Sequence, residues 1–492
     1  MAEHGSDTSL RSGRLGVIGI VFFVVAAAAP LVGMTGAVPV AILAGNGAAA
    51  SGTYLLVGLT LLLFSVGFSA MTSKVTNAGA FFAYVGRGLG TNMGVASAFA
   101  SIVGYVTIQL AIYGFFGGIM AGQMAALGLD FAWWIWALLA WAVVTALSLL
   151  SVDVGAKVLG TLMILELLSL AVTGIAILFN HSDKMDFAAS FSLDKIFAGG
   201  FEGGAGIAIA FAFASFIGFE ATAIYGEESK DPKRSVPRAT YWAIGIITAL
   251  FAVVSFAMVT GLGAGDVVNQ VATISEGGAN PAAVLFSLAH DNVGQWMVDV
   301  MSWLVVSSLF AGLLAFQNAN SRYFFALGRG GVLPKAFGKT NPSGAPQNGV
   351  ILTSVLAAVV IAAFAIFNLD PVLNLFFWMS AITAVAIMVV EILVSFAVVS
   401  YFAKNGGANV WKAYVAPLAS VLLLAGGEYL LMSRFNLLSG LASTPEGAGT
   451  AWDLSTLGWV LVLSPFIALI AGYVVAAAQK SKNQELVKDI VS

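Results

Sequence analysis

AAAAPLVGMTG, residues 26–36, is the stretch on which the reading of this chain turns. It lies inside an apolar run from Leu15 to about Ala44 that carries no charged residue, longer than the roughly 20 apolar residues a helix needs to cross a bilayer. Pro30 removes a backbone N–H and clashes with the preceding turn, while Gly33 and Gly36 hold helical geometry weakly. In hydrocarbon, every freed N–H or C=O is costly unless protein, water or a ligand takes it up. The break is therefore either a packed kink or a binding site.

The surrounding composition makes hydrocarbon the right frame. Of 492 residues, 59% are hydrophobic and 9% charged, against about 25% charged in an ordinary soluble domain. The chain reads as an all-α polytopic membrane protein whose main environment is the lipid bilayer. A net charge of −3 with charges confined to short loops offers no surface for nucleic acid. The absence of cysteine excludes disulfides, thiolate metal sites and cysteine nucleophiles. The polar start, MAEHGSDTSLRSGR, precedes an apolar run about twice as long as a signal-peptide core, so residues 1–14 read as a cytoplasmic tail before a retained helix.

Apolar runs fall near 15–44, 53–73, 92–126, 132–151, 154–179, 204–225, 239–263, 296–327, 348–368, 372–402, 411–434 and 456–478, which gives 12 transmembrane helices. With the N-terminus inside, twelve crossings place every Lys and Arg except Lys184, Lys195 and Arg434 on the cytoplasmic side. Both termini, including the tail 479–492, are then cytoplasmic, and the expected location is the cytoplasmic (inner) membrane.

The sixth run carries a second interruption. Its centre, Ala214, Ser215, Phe216, Ile217, Gly218, Phe219 and Glu220, holds a glycine and a carboxylate where a lipid-facing helix would hold neither. Broken helices five spans apart point to inverted repeats that bring both breaks together at mid-membrane. Repeat one covers about 15–179 and repeat two about 204–402, with 411–478 as two peripheral helices. Half-helix N-termini suit a carboxylate and exposed carbonyls suit an ammonium group. A zwitterionic amino acid carries both charges. Gly33, Met34, Thr35 and Gly36 are thus expected to be unwound around an α-carboxylate, and Ala214, Ser215, Phe216 and Ile217 to face an α-amine.

Further motifs carry a family resemblance: PLVGMTGAVP in span one, NAGAFFAY with RGLG at residues 77–90, FASFIGFE, EESKDPKRSVPRA from Glu227, and NSRYFFALGRGGVLP after span eight. Together and in this order they resemble a bacterial amino acid permease of the amino acid-polyamine-organocation superfamily over nearly the whole chain. The resemblance implies a LeuT-type 5+5 inverted repeat with broken helices 1 and 6, working by alternating access. It also implies substrate contacts at Gly33, Thr35, Gly36, Ala214, Ser215 and Ile217, and an aromatic gate in helix six, for which Phe216 and then Phe219 are the candidates. One departure stands out. Relatives that do without sodium often carry a lysine in helix five, whereas the matching position here is Glu166.

Intramembrane carboxylates usually mark proton or substrate paths. Glu166, near the middle of span five, and Glu220, beside the helix-six break, are the candidates for proton coupling. Glu391 and Glu428 read as structural residues nearer helix ends. Gly114, Gly118 and Gly122, spaced four apart, read as a helix-packing face, and Ser307 and Ser308 as the ligands of a sodium alternative. Cytoplasmic Lys and Arg could pair with Glu227, Glu228 or Asp231 at an inner gate.

The expected function is a proton-coupled secondary transporter importing an amino acid, with no organic cofactor, no metal and no obligate protein partner. A polyamine or organic cation carrier of the same fold, and a non-accumulating sensor or facilitator, are the alternatives. His4, His181 and His290 lie in a tail or loops and form no catalytic spacing, so an enzyme is not expected.

Overall fold

The computed structural model describes residues 16–72, 74, 80–150, 156–220, 222, 229, 231–444 and 449–479. Both terminal tails, residues 77–79 of the second motif, and Glu227 and Glu228 lie outside these. The described residues are predominantly helical, and the apolar runs appear as α1 (Val17–Ala28), α2 (Ala50–Thr72), α3 (Thr91–Ala126), α4 (Trp133–Leu149), α5 (Ala156–Asn180), α6 (Ala205–Phe216), α7 (Pro232–Leu262), α8 (Gln295–Arg329), α9 (Gln347–Ile366), α10 (Phe377–Asn405), α11 (Ala416–Ser433) and α12 (Thr456–Gln479). Among the described residues, nine stretches are long and apolar enough to cross a membrane, and α4 and α6 are shorter apolar helices.

The first run departs from the expectation in where it breaks. α1 stops at Ala28, Ala29 takes a left-handed φ of 43°, and helix resumes at Pro30. Proline disfavours α geometry in the residue before it, which is why the break precedes Pro30 rather than following it. Gly33, Met34, Thr35 and Gly36, expected to be unwound, instead lie in a wide turn, Gly33–Ala37, with helical dihedrals such as φ −59°, ψ −43° at Gly33. A second wide turn, Ala41–Asn46, follows before the chain reverses at Gly47, φ 62°. Wide turns of this kind are rare and concentrate at functional sites.

α3 is the central post, packing against α4, α8, α10 and α12, while α2 lies along α7. Lipid tails are as apolar as leucine, so helices associate by close fit and polar contacts rather than by escape from water. The glycines show the fit: a Cβ on Gly114 would stand 2.5 Å from Pro371 O and one on Gly118 3.3 Å from Val372. The packing reading holds for these two, whereas Gly122 has nothing within 4 Å. Large apolar side chains such as Phe179, Leu422 and Val474 are more than half exposed, as a lipid-facing surface requires.

Candidate functional site

α6 ends where Ile217 turns to φ −59°, ψ 133°, and Gly218 follows at φ 114°, a value at which a side chain would be strained. Residues 217–220 form a turn in which Phe219 N donates to Phe216 O at 3.3 Å. Gly218 N donates to Glu220 Oε2 at 2.9 Å. Glu220, fully buried, thus takes up one of the N–H groups that the broken helix frees.

The two interrupted helices meet. Where a Cβ on Gly33 would stand, the Phe251 ring lies 2.5 Å away and Ser215 Oγ 3.5 Å away. Ser215 donates to Phe211 O at 2.7 Å and lies 3.2 Å from the Tyr54 hydroxyl, joining α2 to the same point. Thr35 is less available: its hydroxyl donates to Leu31 O at 2.7 Å within its own helix. Met34 and Ile217 are buried and Ala214 is half-buried.

The gate candidates part company. The Phe216 ring lies 5.6 Å from Phe251, which itself lies 5.2 Å from Tyr54, so Phe216 belongs to the aromatic wall around Gly33 and Ser215. Phe219 meets Phe64 edge-on at 6.1 Å and packs into α2 instead. On the other side of span one, a Cβ on Gly36 would meet Phe115 at 2.9 Å and Phe376 at 3.2 Å. Those two rings stack on each other, and Phe115 forms part of the floor of a vestibule of about 870 Å³. The vestibule is lined by the last turns of α3, the segment 279–290, the start of α8 and the residues leading into α10, with Asp299, Asp370 and His290 but no Lys or Arg among the described residues of its wall.

Glu166 sits midway along α5 and is buried, its Oε2 accepting from Ser308 Oγ of α8 at 2.9 Å. A proton candidate and a sodium candidate are thereby one hydrogen-bonded pair, while Ser307 donates to Leu304 O instead. Tyr105 (α3) and Tyr323 (α8) lie near Glu220. Among the described residues, Glu220 Oε1 and both tyrosine hydroxyls are buried without a hydrogen-bond partner. Glu391 is not near a helix end: it lies mid-way along α10, fully buried, and both its oxygens lack a partner, as do those of Glu428 in α11. A buried amide chain runs alongside, with Asn320 Nδ2 donating to Gln109 Oε1 at 3.0 Å and Gln317 Nε2 to Ser354 Oγ at 3.0 Å. The Asp231 expected at an inner gate lies 3.9 Å from Arg234, three residues on in its own helix start.

Sequence reasoning missed Tyr54, Phe115, Phe251, Phe376, Tyr105 and Tyr323. Each is an aromatic in an apolar helix of a chain with 35 phenylalanines and 11 tyrosines, so nothing local marks it.

Comparison with known proteins follows this geometry. The family model described as amino acid permease matches residues 18–480. The chain is 32% identical over 167 residues to the branched-chain amino acid permease BcaP of Lactococcus lactis subsp. cremoris, covering 34% of this chain and 33% of that one. It is 23% identical over 326 residues to the lysine-specific permease LysP of Escherichia coli, covering 62% of each. Identity to the vacuolar cationic amino acid transporter 4 of Arabidopsis thaliana is 28% over 178 residues, 36% of this chain and 28% of that one. The chain thus spans about a third of the first relative's length and under two thirds of the other two. Matched by the family model over almost its whole length, the chain belongs to the amino acid permeases of the amino acid-polyamine-organocation superfamily.

Proposed function

We propose that the chain is a secondary transporter that imports an amino acid across the cytoplasmic membrane by alternating access, coupled to protons. The observation that carries this reading is the contact between the two interrupted helices, Gly33 against Ser215. Repeats 15–179 and 204–402 form the LeuT-type 5+5 core, in which Gly33, Met34, Thr35 and Gly36 receive the α-carboxylate. Ala214, Ser215, Phe216 and Ile217 receive the α-amine, the half-helix ends supplying complementary partial charges. The relatives' printed names share an amino acid cargo and differ in its side chain, which supports the class and leaves the side chain to the surrounding wall.

Glu166 and Glu220 carry the coupling proton. Both are buried carboxyls within apolar runs, Glu166 in α5 and Glu220 in the turn that ends α6, where an ionised acid is costly and a protonated one is tolerated. Ser308 supplies a donor to the charged form of Glu166, and Ser307 is engaged by its own helix, which favours a proton over sodium. The Phe115 and Phe376 stack closes the path from the outer vestibule, with Phe216 on the far side of the site and Phe219 as helix packing. A cationic amino acid or amine is the second reading, favoured by Asp299 and Asp370 in a vestibule wall whose described residues include no lysine or arginine.

The test is uptake by the purified protein in liposomes, with a labelled amino acid mixture, an imposed pH gradient and no sodium. Accumulation that collapses when the gradient is dissipated supports the proposal, and competition by amines against amino acids separates the second reading. Binding without accumulation under either a proton or a sodium gradient replaces it with a sensor or facilitator.

A further inference from the structure

Away from the helix breaks, three lysines from separate stretches of chain meet around one cavity of about 410 Å³. Lys74 follows the end of α2, Lys233 lies in the first turn of α7, and Lys412 lies in the wide turn Trp411–Val415 that leads into α11. Each side chain is exposed, and no carboxylate of the described residues lies within ion-pair distance of any of them. Lys74 reaches across the opening, its Nζ 3.6 Å from where a Cβ on Gly407 would stand. Three like charges around one hollow repel one another, an arrangement that a bound anion reverses. The hollow is also polar at depth: Ser69 lines it, is 7% exposed, and its buried hydroxyl has no hydrogen-bond partner among the described residues. The rest of the wall is mixed: Val66, Ala70, Pro237, Phe402 and Ala408 are apolar, while Tyr241 and Asn409 add polar groups.

We propose that this cavity is a binding site for a phosphate-bearing anion, with Lys74, Lys233 and Lys412 around the phosphate and Ser69 donating to it. Lysines alone would suit any anion. The apolar part of the wall suits the glycerol and acyl carbons of an anionic lipid, and the cavity lies at the ends of the apolar helices α2, α7 and α10, where basic pockets take up such headgroups. A soluble phosphate would use the same lysines without the wall. Once held, the phosphate ties α2 and α7 to the connection between α10 and α11, elements on opposite sides of the cavity. The site is independent of the cargo and of the transport direction proposed above.

The experiment compares the wild-type protein, the triple variant Lys74→Gln, Lys233→Gln, Lys412→Gln, and the double variant Lys335→Gln, Lys339→Gln as a surface-charge control. Each is extracted from vesicles of phosphatidylglycerol and phosphatidylcholine, and lipid retention is read by native mass spectrometry. Inorganic phosphate is titrated separately. Wild type and control should retain phosphatidylglycerol over phosphatidylcholine, and the triple variant should lose roughly a hundredfold of that preference, about fivefold for each lysine. Phosphate binding with the same lysine dependence but no lipid preference assigns the site to a soluble anion. Retention and phosphate binding unchanged in the triple variant, or lowered equally in the control, overturns the proposal. Lysine-to-arginine replacements at all three positions should restore binding, which a packing role would not.

Discussion

Phe115 of α3 stacks on Phe376, just before α10, with ring centroids 4.8 Å apart and planes 18° from parallel, and both rings cover Gly36 of span one. The stack lies between the vestibule of about 870 Å³ and the meeting point of the two interrupted helices. A stack of this kind is worth about 0.5–1.5 kcal/mol, so its removal should raise opening by up to about tenfold. The chain has no native cysteine, which makes labelling unambiguous. Ser215→Cys should be shielded from an external thiol reagent and become accessible when Phe115→Ala is added. Gly122→Cys, in the vestibule wall, should label at the same rate with or without that change. Equal shielding of Ser215→Cys in both backgrounds would show that another element closes the path.

Gly36 is the second prediction. A leucine there must displace the Phe115 and Phe376 rings, and overpacking of this sort costs about 1–3 kcal/mol. Gly36→Leu, once shown to be folded by its elution profile and helical content, should bind substrate at least about fivefold more weakly. Wild-type affinity in the folded variant would remove Gly36 from the carboxylate site.

Glu166 and Ser308 form the third. Glu166→Gln keeps the shape and loses the titration, so uptake should lose its dependence on the pH gradient while exchange of labelled for unlabelled substrate continues. Ser308→Ala should change the pH profile of uptake, and Ser308→Thr should restore it, because the hydrogen bond acts only on the charged state of the carboxyl. An unchanged profile in Glu166→Gln would leave Glu166 as a packing residue.

Glu220 has two separable jobs. One oxygen accepts from Gly218 N and the other is unpartnered beside Tyr105 and Tyr323. Glu220→Gln retains an acceptor for Gly218 and should fold, with accumulation lost and exchange kept. Glu220→Ala strands a buried N–H, at a cost of about 1–3 kcal/mol, and should lower thermal stability as well. If the glutamine variant accumulates substrate normally, the carboxyl serves the turn alone.

Ser215→Ala closes the set. The hydroxyl bonds its own helix and touches Tyr54, so its loss should cost about 1 kcal/mol of substrate binding, or roughly fivefold, with little effect on stability. Binding assays on Ser215→Ala and Tyr54→Phe should give similar losses that do not add.

Where the helices lie was legible before any coordinates, because length and hydropathy act locally and the bilayer imposes one scale on every span. α3, α8 and α9 begin and end within two residues of the apolar runs that announce them. The interruption of span six was equally legible, since a glycine beside a carboxylate has few uses in a lipid-facing helix. The interruption of span one was visible in kind but displaced in position: Pro30 acts on Ala29 before it, whereas the glycines after it accept a wide helical turn.

Glu391 was misread for a related reason. Its position in the run 372–402 places it nearer a helix end, whereas the helix begins only at Phe377 and runs to Asn405, which puts the carboxyl at its middle.

The sequence by itself determined that the chain lives in a membrane, where its apolar segments begin and end, that two of them are interrupted, and which acids are buried within them. These follow from composition and from the cost of unpaired backbone in hydrocarbon, both of which act within one segment. Only the tertiary structure decided that Gly33 faces Ser215, that Glu166 bonds Ser308 across 142 residues, that Phe115 and Phe376 cover Gly36, and that three distant lysines share one cavity. Contacts between helices depend on how each rotates about its own axis, and in a chain apolar on almost every face no pattern along the sequence records that rotation.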